Sequence, residues 1–217
     1  MPIYRLSRAL LFPPVTEAEP DGLLAVGGDL RPERLLLAYR SGIFPWYSAD
    51  APVLWWSPDP RYVLFPSEFK VASSLQRVIR NGPFTVTMDR DFAAVMHACG
   101  LVPRKGQDGT WITPAMEKAY GRLHAAGHAH SVEVWREGRL VGGLYGVQLG
   151  HVYFGESMFT LETNASKVGF VHLMEHLKNT GVAMIDCQVH TQHLERFGAR
   201  FIPRAEFLER LAAALAG

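Results

Sequence analysis

The chain has 217 residues, 48% of them hydrophobic and 20% charged, a balance that excludes a disordered polypeptide and fits one large domain or a medium domain with a small companion. A net charge of +1 excludes nucleic-acid binding through overall charge, so any RNA partner has to be held by a local basic patch or by a pocket for its end. Two cysteines, Cys99 and Cys187, are too few for a disulfide framework or a thiolate zinc site, and are expected as buried free thiols.

The first residues, Met1-Pro2-Ile3-Tyr4-Arg5-Leu6, lack the apolar core of a secretion signal, and no run approaches the ~18 apolar residues of a membrane span. The expected location is the cytoplasm. Phe12-Pro13-Pro14 then opens a loop-rich stretch, Gly27-Gly28-Asp29-Leu30 reads as a turn, and residues 31–40 carry Leu35, Leu36, Leu37 and Tyr39 on a helix. The aromatic segment that follows, with Trp46, Trp55 and Trp56 among Pro45, Pro52, Pro58 and Pro60, excludes a long helix, because each proline removes an N–H and clashes with the preceding turn. A small irregular N-terminal domain over residues 1–60 is predicted.

From Arg61 onward, residues 61–217, the pattern is regular. Strands are predicted at 62–65 and 84–88, with a helix at 67–81 between them and a second helix reaching Cys99, capped by Asp89 or Asp91. After a polar loop, Thr113 and Pro114 start a helix that Gly127 ends. A hairpin at 130–136 and 140–147 turns on Glu137-Gly138, and a third strand covers 151–158. Asn164 is expected to cap a helix to about Thr180, stopped by Gly181; an apolar strand at 182–189 and helices at 191–197 and 204–215 complete the chain. The order predicts an α/β (α+β) fold: a mixed sheet of the kind seen in acetyltransferases of the GNAT superfamily, an analogy of fold that does not fix function.

Three features invite chemistry. His172-Leu173-Met174-Glu175-His176 matches the H-x-x-E-H pattern of zinc peptidases, with His190 or His193 as a third ligand; three common residues arise easily at this spacing in a chain with nine histidines, so a helix that merely carries polar residues on its outer face is the preferred account and a zinc hydrolase the alternative reading. Gly142, Gly143 and Gly146 lie inside a strand pattern instead of opening a helix, so they mark a bulge or a close backbone approach and not a dinucleotide loop. Glu156 and Asp186 stand in apolar strands, the latter followed at one remove by Gln188. Buried carboxylates are costly unless paired or used, and two acids and an amide on neighbouring strands form an acidic pocket suited to a cationic substrate. Aromatic residues around the proline-rich loop offer a platform for a nucleobase.

These blocks resemble the leucyl/phenylalanyl-tRNA–protein transferase family. The resemblance rests on residues 22–30 (Gly22 to Leu30), Gly42-Ile43-Phe44-Pro45-Trp46, Trp55-Trp56-Ser57-Pro58-Asp59-Pro60-Arg61, Gly109-Thr110-Trp111-Ile112-Thr113 and residues 127–135. It continues in Phe154-Gly155-Glu156-Ser157-Met158-Phe159, Asn164-Ala165-Ser166-Lys167 and Ile185-Asp186-Cys187-Gln188. It implies a small N-terminal domain on a GNAT-like mixed-sheet catalytic domain, with no metal or organic cofactor. It implies transfer of Leu or Phe, less readily Met, from Leu-tRNA or Phe-tRNA to proteins with N-terminal Arg or Lys, which makes a bacterial N-degron for the proteolytic machinery. A monomer is expected.

By the same resemblance, Trp46 stacks on the terminal adenosine, and Trp111, Tyr120, Tyr153, Gly155 and Glu156 surround donor and acceptor. Leu144, Leu177 and Ile185 line the donor side-chain pocket, where bulkier Met or Phe is expected in place of the two leucines. Asp186 and Gln188 form the catalytic pair. Arg77, Arg80, Arg104 and Lys105 are candidates for the tRNA backbone. The segment 160–167 lacks the glycine-rich loop that an acetyl-CoA enzyme needs.

Overall fold

The computed structural model describes residues 3–102 and 110–216; Arg104 and Lys105 lie outside them. Among the described residues the chain builds two sheets. The first, from strands β1 (Tyr4–Leu6), β2 (Leu23–Gly27), β3 (Phe44–Pro45) and β4 (Leu54–Trp56), has the order β1-β2-β4-β3, with helix α1 (Pro32–Arg40) between β2 and β3. The stretch expected to be irregular therefore carries a mixed sheet. Its strands are only two to five residues long, and pairing between β2 and β4 joins residues about thirty apart, which no local periodicity records.

The second sheet contains β5 (Arg61–Leu64), β6 (Thr85–Met88), β7 (Ala129–Arg136), β8 (Arg139–Leu149), β9 (Val152–Thr160), β10 (Met184–Gln188) and β11 (Arg200–Ile202), in the order β11-β5-β10-β9-β8-β7-β6. All neighbours are antiparallel except β9 and β10. Helices α2 (Ser73–Asn81), α3 (Phe92–Leu101), α4 (Pro114–Ala125), α5 (Ala165–Asn179), α6 (Gln192–Glu195) and α7 (Arg204–Ala216) cover its faces. This is the mixed α/β arrangement predicted from the element order. The apolar side chains of α1, α3 and α4 share one core with β2, β4 and Phe154, while α5 covers the opposite face with Leu144, Tyr153 and Ile185.

Local chemistry accounts for most element ends. Asp91 caps α3 by accepting from the Ala94 N–H at 3.0 Å, and Thr113 caps α4 by accepting from Met116 at 3.2 Å with Pro114 in the first turn. Asn164 stands before α5 in the left-handed region (φ 71°), without a capping bond from its side chain, a conformation asparagine tolerates. The helix expected from Ser67 starts at Ser73: Pro66–Glu68 form a single 3-10 turn, and Lys70 donates its N–H to Phe197 at 3.0 Å, which holds the chain between them out of the helix. Both cysteines are buried free thiols.

Two glycines of β8 are fixed by close approach. A Cβ on Gly142 would stand 2.7 Å from that of Ala165 in α5, and one on Gly146 would stand 2.2 Å from the Phe154 carbonyl oxygen and 2.6 Å from the Tyr153 ring. Backbone cannot yield at the second position. Gly146→Ala is expected to lower stability by about 1–3 kcal/mol, read as a reduced urea midpoint with the m-value unchanged.

Candidate active site

The site arises where β9 and β10 part. They pair in parallel through Met184–Val152, Ile185–Tyr153 and Asp186–Phe154. Beyond that point β9 continues against β8 alone and β10 against β5 alone. Each strand carries an irregularity at the divergence. On β9, Gly155 and Ser157 pair with the adjacent Gly146 and Tyr145, leaving Glu156 bulged; on β10, Asp186 and Gln188 pair with Val63 and Tyr62, leaving Cys187 bulged. A bulge re-aims side chains. Strict alternation would put Phe154, Glu156 and Met158 on one face. Instead Phe154 packs with the α1 side and Met158 with the α5 side, and Glu156 points into the gap.

The gap holds a cavity of about 350 Å³, within the range of small-molecule sites. Its inner part is apolar, formed by Leu144, Tyr153, Met158, Phe170, Leu173 and Ile185; its mouth carries Phe44, Trp46 and Trp111, with Glu156 and Gln188 between the two. Trp46 is 37% exposed, with its ring 6.0 Å from that of Trp56 and tilted against it.

Glu156 is held by three side-chain donors. Its carboxyl accepts from Tyr39 Oη at 2.7 Å, Tyr120 Oη at 2.9 Å and Gln188 Nε2 at 3.0 Å, and the Tyr39 and Tyr120 hydroxyls also bond each other. Burial pushes the carboxyl up to about 7, a rise that Asp186 reinforces and that the three donors oppose without cancelling. Burial likewise raises both tyrosine hydroxyls well above their usual range, and the Cys187 thiol with them.

Asp186 is arranged otherwise. It is fully buried and makes a two-pronged ion pair with Arg61, from Nε at 2.8 Å and Nη2 at 2.7 Å. Its Oδ1 also accepts the backbone N–H of Gln188 at 3.0 Å. That bond holds Gln188 at φ 62°, a left-handed conformation that a non-glycine residue keeps only when its surroundings enforce it. The Arg61 guanidinium lies between the rings of Phe44 and Phe207, 4.7 and 4.6 Å from their centroids, which satisfies a buried cation further.

The structure thus brings Trp46, Trp111, Leu144, Tyr153, Gly155, Glu156, Ile185 and Gln188 to one cavity. Tyr120 reaches it only through Glu156, and Asp186 only through Gln188. Leu177 is not brought to it. It lies in the C-terminal half of α5 and is buried in the core; Phe170 and Leu173, nearer the helix start, border the cavity instead. Sequence reasoning also missed Tyr39 and Arg61 as parts of the site. Both read locally as core or strand residues, and their partners lie 117 and 125 positions away. Of the zinc pattern, His172 is half-buried and Glu175 and His176 are exposed on α5. Among the described residues no group of three or more His, Cys, Asp or Glu side chains is placed to hold a metal ion, so the metallohydrolase alternative falls.

An apolar chamber that opens onto an amide and a half-buried carboxyl, between diverging strands of a mixed sheet, suits an acyl-transfer enzyme that takes an apolar acyl group. Comparison with known proteins specifies the family. The family model for leucyl/phenylalanyl-tRNA protein transferase matches residues 63–212, and the model for its N-terminal domain matches residues 28–59. Proteins named leucyl/phenylalanyl-tRNA–protein transferase are 61% identical in Syntrophobacter fumaroxidans over 98% of this chain and 91% of the relative, and 60% identical in an Anaeromyxobacter species over 99% and 92%. One from Stutzerimonas stutzeri is 61% identical over 94% and 90%. The chain belongs to the leucyl/phenylalanyl-tRNA–protein transferase family. The solved structure of FemX shares the fold at 13% identity, with a TM-score of 0.52 over 79% of this chain and 66% of that one. A GCN5-related N-acetyltransferase from Kribbella flavida gives a TM-score of 0.40 at 10% identity over 80% and 61%.

Two outcomes follow from the geometry. Arg61→Ala strands a buried carboxylate and is expected to cost about 3–5 kcal/mol, whereas the paired change Arg61→Met with Asp186→Leu recovers most of that loss; urea denaturation of the three proteins checks it. The Glu156 carboxyl, at about 7 in the folded chain against an ordinary 4.5, keeps a proton that the unfolded chain releases. Its contribution to stability is therefore full below about 4.5 and is lost as pH rises to about 7. Glu156→Gln should gain on the native chain across that window, by on the order of 2 kcal/mol at its upper end, measured as a pH series of unfolding midpoints.

Proposed function

We propose that this chain transfers Leu or Phe, and less readily Met, from aminoacyl-tRNA to the N-terminal Arg or Lys of acceptor proteins, forming a peptide bond and a bacterial N-degron. It acts as a cytoplasmic monomer without a cofactor. Family membership supports the reaction. The observation that carries the assignment of roles is the continuity of one cavity from an apolar chamber to Gln188 and Glu156.

On this reading residues 1–60 are a small domain that supplies the aromatic mouth, and residues 61–217 are the catalytic domain. The donor side chain enters the chamber between Leu144, Ile185 and α5, and Trp46 stacks on the terminal adenosine of the tRNA. Glu156 faces the cationic acceptor. Arg77 and Arg80, exposed on α2, are candidates for the tRNA backbone.

The chemistry asks for little acid–base assistance. The donor is an activated ester, and a protein α-amine with a pKa near ~7.7–8.0 is on the order of a tenth to a fifth neutral at pH 7. Holding amine and ester in attack geometry is worth more than a strong base. Gln188 is suited to that role, because its Nε2 donates to Glu156 and its carbonyl oxygen is left to steer an N–H of the amine. Asp186, with both oxygens bonded to Arg61 and the Gln188 backbone, is a positioning residue and not a base. Backbone N–H groups near Gly155 are candidates for stabilising the oxyanion.

Incubation with labelled Phe-tRNA and an Arg-starting peptide should label the peptide equally with and without a chelator. Gln188→Ala should lower kcat by about 100-fold while the protein stays folded. Absence of labelled peptide with the native chain would overturn the assignment.

A further inference from the structure

The hydrogen bonds around Glu156 contain one more contact than the obvious protonation state can fill. Three oxygen–oxygen contacts close a ring: Glu156 Oε1 to Tyr39 Oη at 2.7 Å, Tyr39 Oη to Tyr120 Oη, and Tyr120 Oη to Glu156 Oε2 at 2.9 Å. Each contact needs a proton, and a tyrosine hydroxyl supplies only one. With Glu156 ionised, two protons serve three contacts. If both hydroxyls then point at the carboxylate, two phenolic oxygens face each other with lone pairs alone, inside a core where Tyr39 and Tyr120 are fully buried. With Glu156 neutral the count closes. The carboxyl O–H donates to Tyr120, Tyr120 to Tyr39, and Tyr39 back to the other carboxyl oxygen. Every member then donates once and accepts at least once, and such chains strengthen one another.

The remaining surroundings favour the same state. From β10, Gln188 donates to Oε1 through Nε2, a neutral donor that serves either form. Asp186, also on β10, is a like charge, and the cation paired with it, Arg61 of β5, has its Nε and Nη2 committed to that carboxylate. Tyr153 of β9 and Tyr145 of β8, the latter edge-on to Tyr120, bring no positive charge. Among the described residues no hydrogen bond or ion pair links Glu156 to a cation. Burial pushes its carboxyl up to about 7.

We propose that, with the acceptor subsite empty, Glu156 is a neutral acid closed in a hydrogen-bonded ring with Tyr120 and Tyr39, and that a cationic N-terminal residue binds by displacing its proton, so that acceptor binding releases one proton. Tyr39 and Tyr120 are positioning residues. They store the proton form when the site is empty and become two donors to the carboxylate when the cation arrives, at which point the contact between the two hydroxyls opens. The inference rests on the acceptor role of Glu156 given above. It adds selectivity: an uncharged N-terminal residue cannot compensate loss of the proton and leaves the ring closed.

The test uses the full chain and a peptide whose first residue is 5-guanidinovaleryl, arginine without its α-amine, so that the ligand does not titrate near neutrality. Infrared difference spectra at pH 6 should contain a carbonyl band of a neutral carboxylic acid that Glu156→Gln lacks and that peptide binding removes. Calorimetry in two buffers of different ionisation heat should give close to one proton released per peptide, with affinity weakening about tenfold per pH unit below the carboxyl's titration point. Glu156→Gln should bind weakly at every pH. If the native chain has no such band, keeps it with peptide bound, or binds without releasing a proton while Glu156→Gln still binds weakly, the ring proposal is overturned and the acceptor role stands. Binding by Glu156→Gln as tight as the native chain would remove the acceptor role and the proposal together.

Discussion

The arrangement of the site depends on one buried ion pair. Arg61 begins β5 and Asp186 lies near the end of β10, and their two-pronged contact joins adjacent strands at the point where β10 leaves β9. The pair does more than tie strands. Asp186 spends a third bond on the Gln188 backbone, which fixes the left-handed turn that carries the amide into the cavity. Arg61 is held in turn between Phe44 from the first sheet and Phe207 from the last helix. Beginning, middle and end of the chain meet at one guanidinium. A buried pair of this kind contributes little net stability compared with apolar residues of the same shape; what it supplies here is a defined geometry for Gln188 at the cavity.

The two acids that flank the cavity illustrate how environment divides chemically equal groups. Asp186 has a cation in contact and no surface toward the substrate. Glu156 has only neutral donors in contact and opens on the cavity. One is therefore a structural anion. The other is poised near neutrality, where a bound charge decides its state. Both sit beside bulges, and the bulges explain why two carboxylates from apolar strands do not simply turn out to solvent.

The apolar chamber follows from the same divergence. Where β9 and β10 part, Phe170 and Leu173 line the cavity. Leu177, farther along α5, is core. The apolar chamber and the placement of the amide are thus two consequences of a single parting of strands.

Much of this was legible in the chain itself. The periodicities of residues 129–136 and 139–149, the Thr113–Pro114 start, the Asp91 cap and the glycines at 127 and 181 are local signals, set by backbone sterics and neighbouring hydrogen bonds, and they locate elements without any tertiary knowledge. Family blocks around Glu156 and Asp186 marked the strands that border the cavity. What the sequence did not contain was which residues complete it. Tyr39 looks like any apolar-face residue of α1, Arg61 like the first residue of a strand, and Leu177 like an equal of Leu173 one turn earlier. The short strands of the first sheet were hidden for the same reason: their partners are distant, and edge strands with proline carry no period. Local structure is decided by neighbours in the chain, so sequence determined it. The bonds from Tyr39 to Glu156 and from Arg61 to Asp186 span 117 and 125 positions, and only the packed tertiary structure decided those.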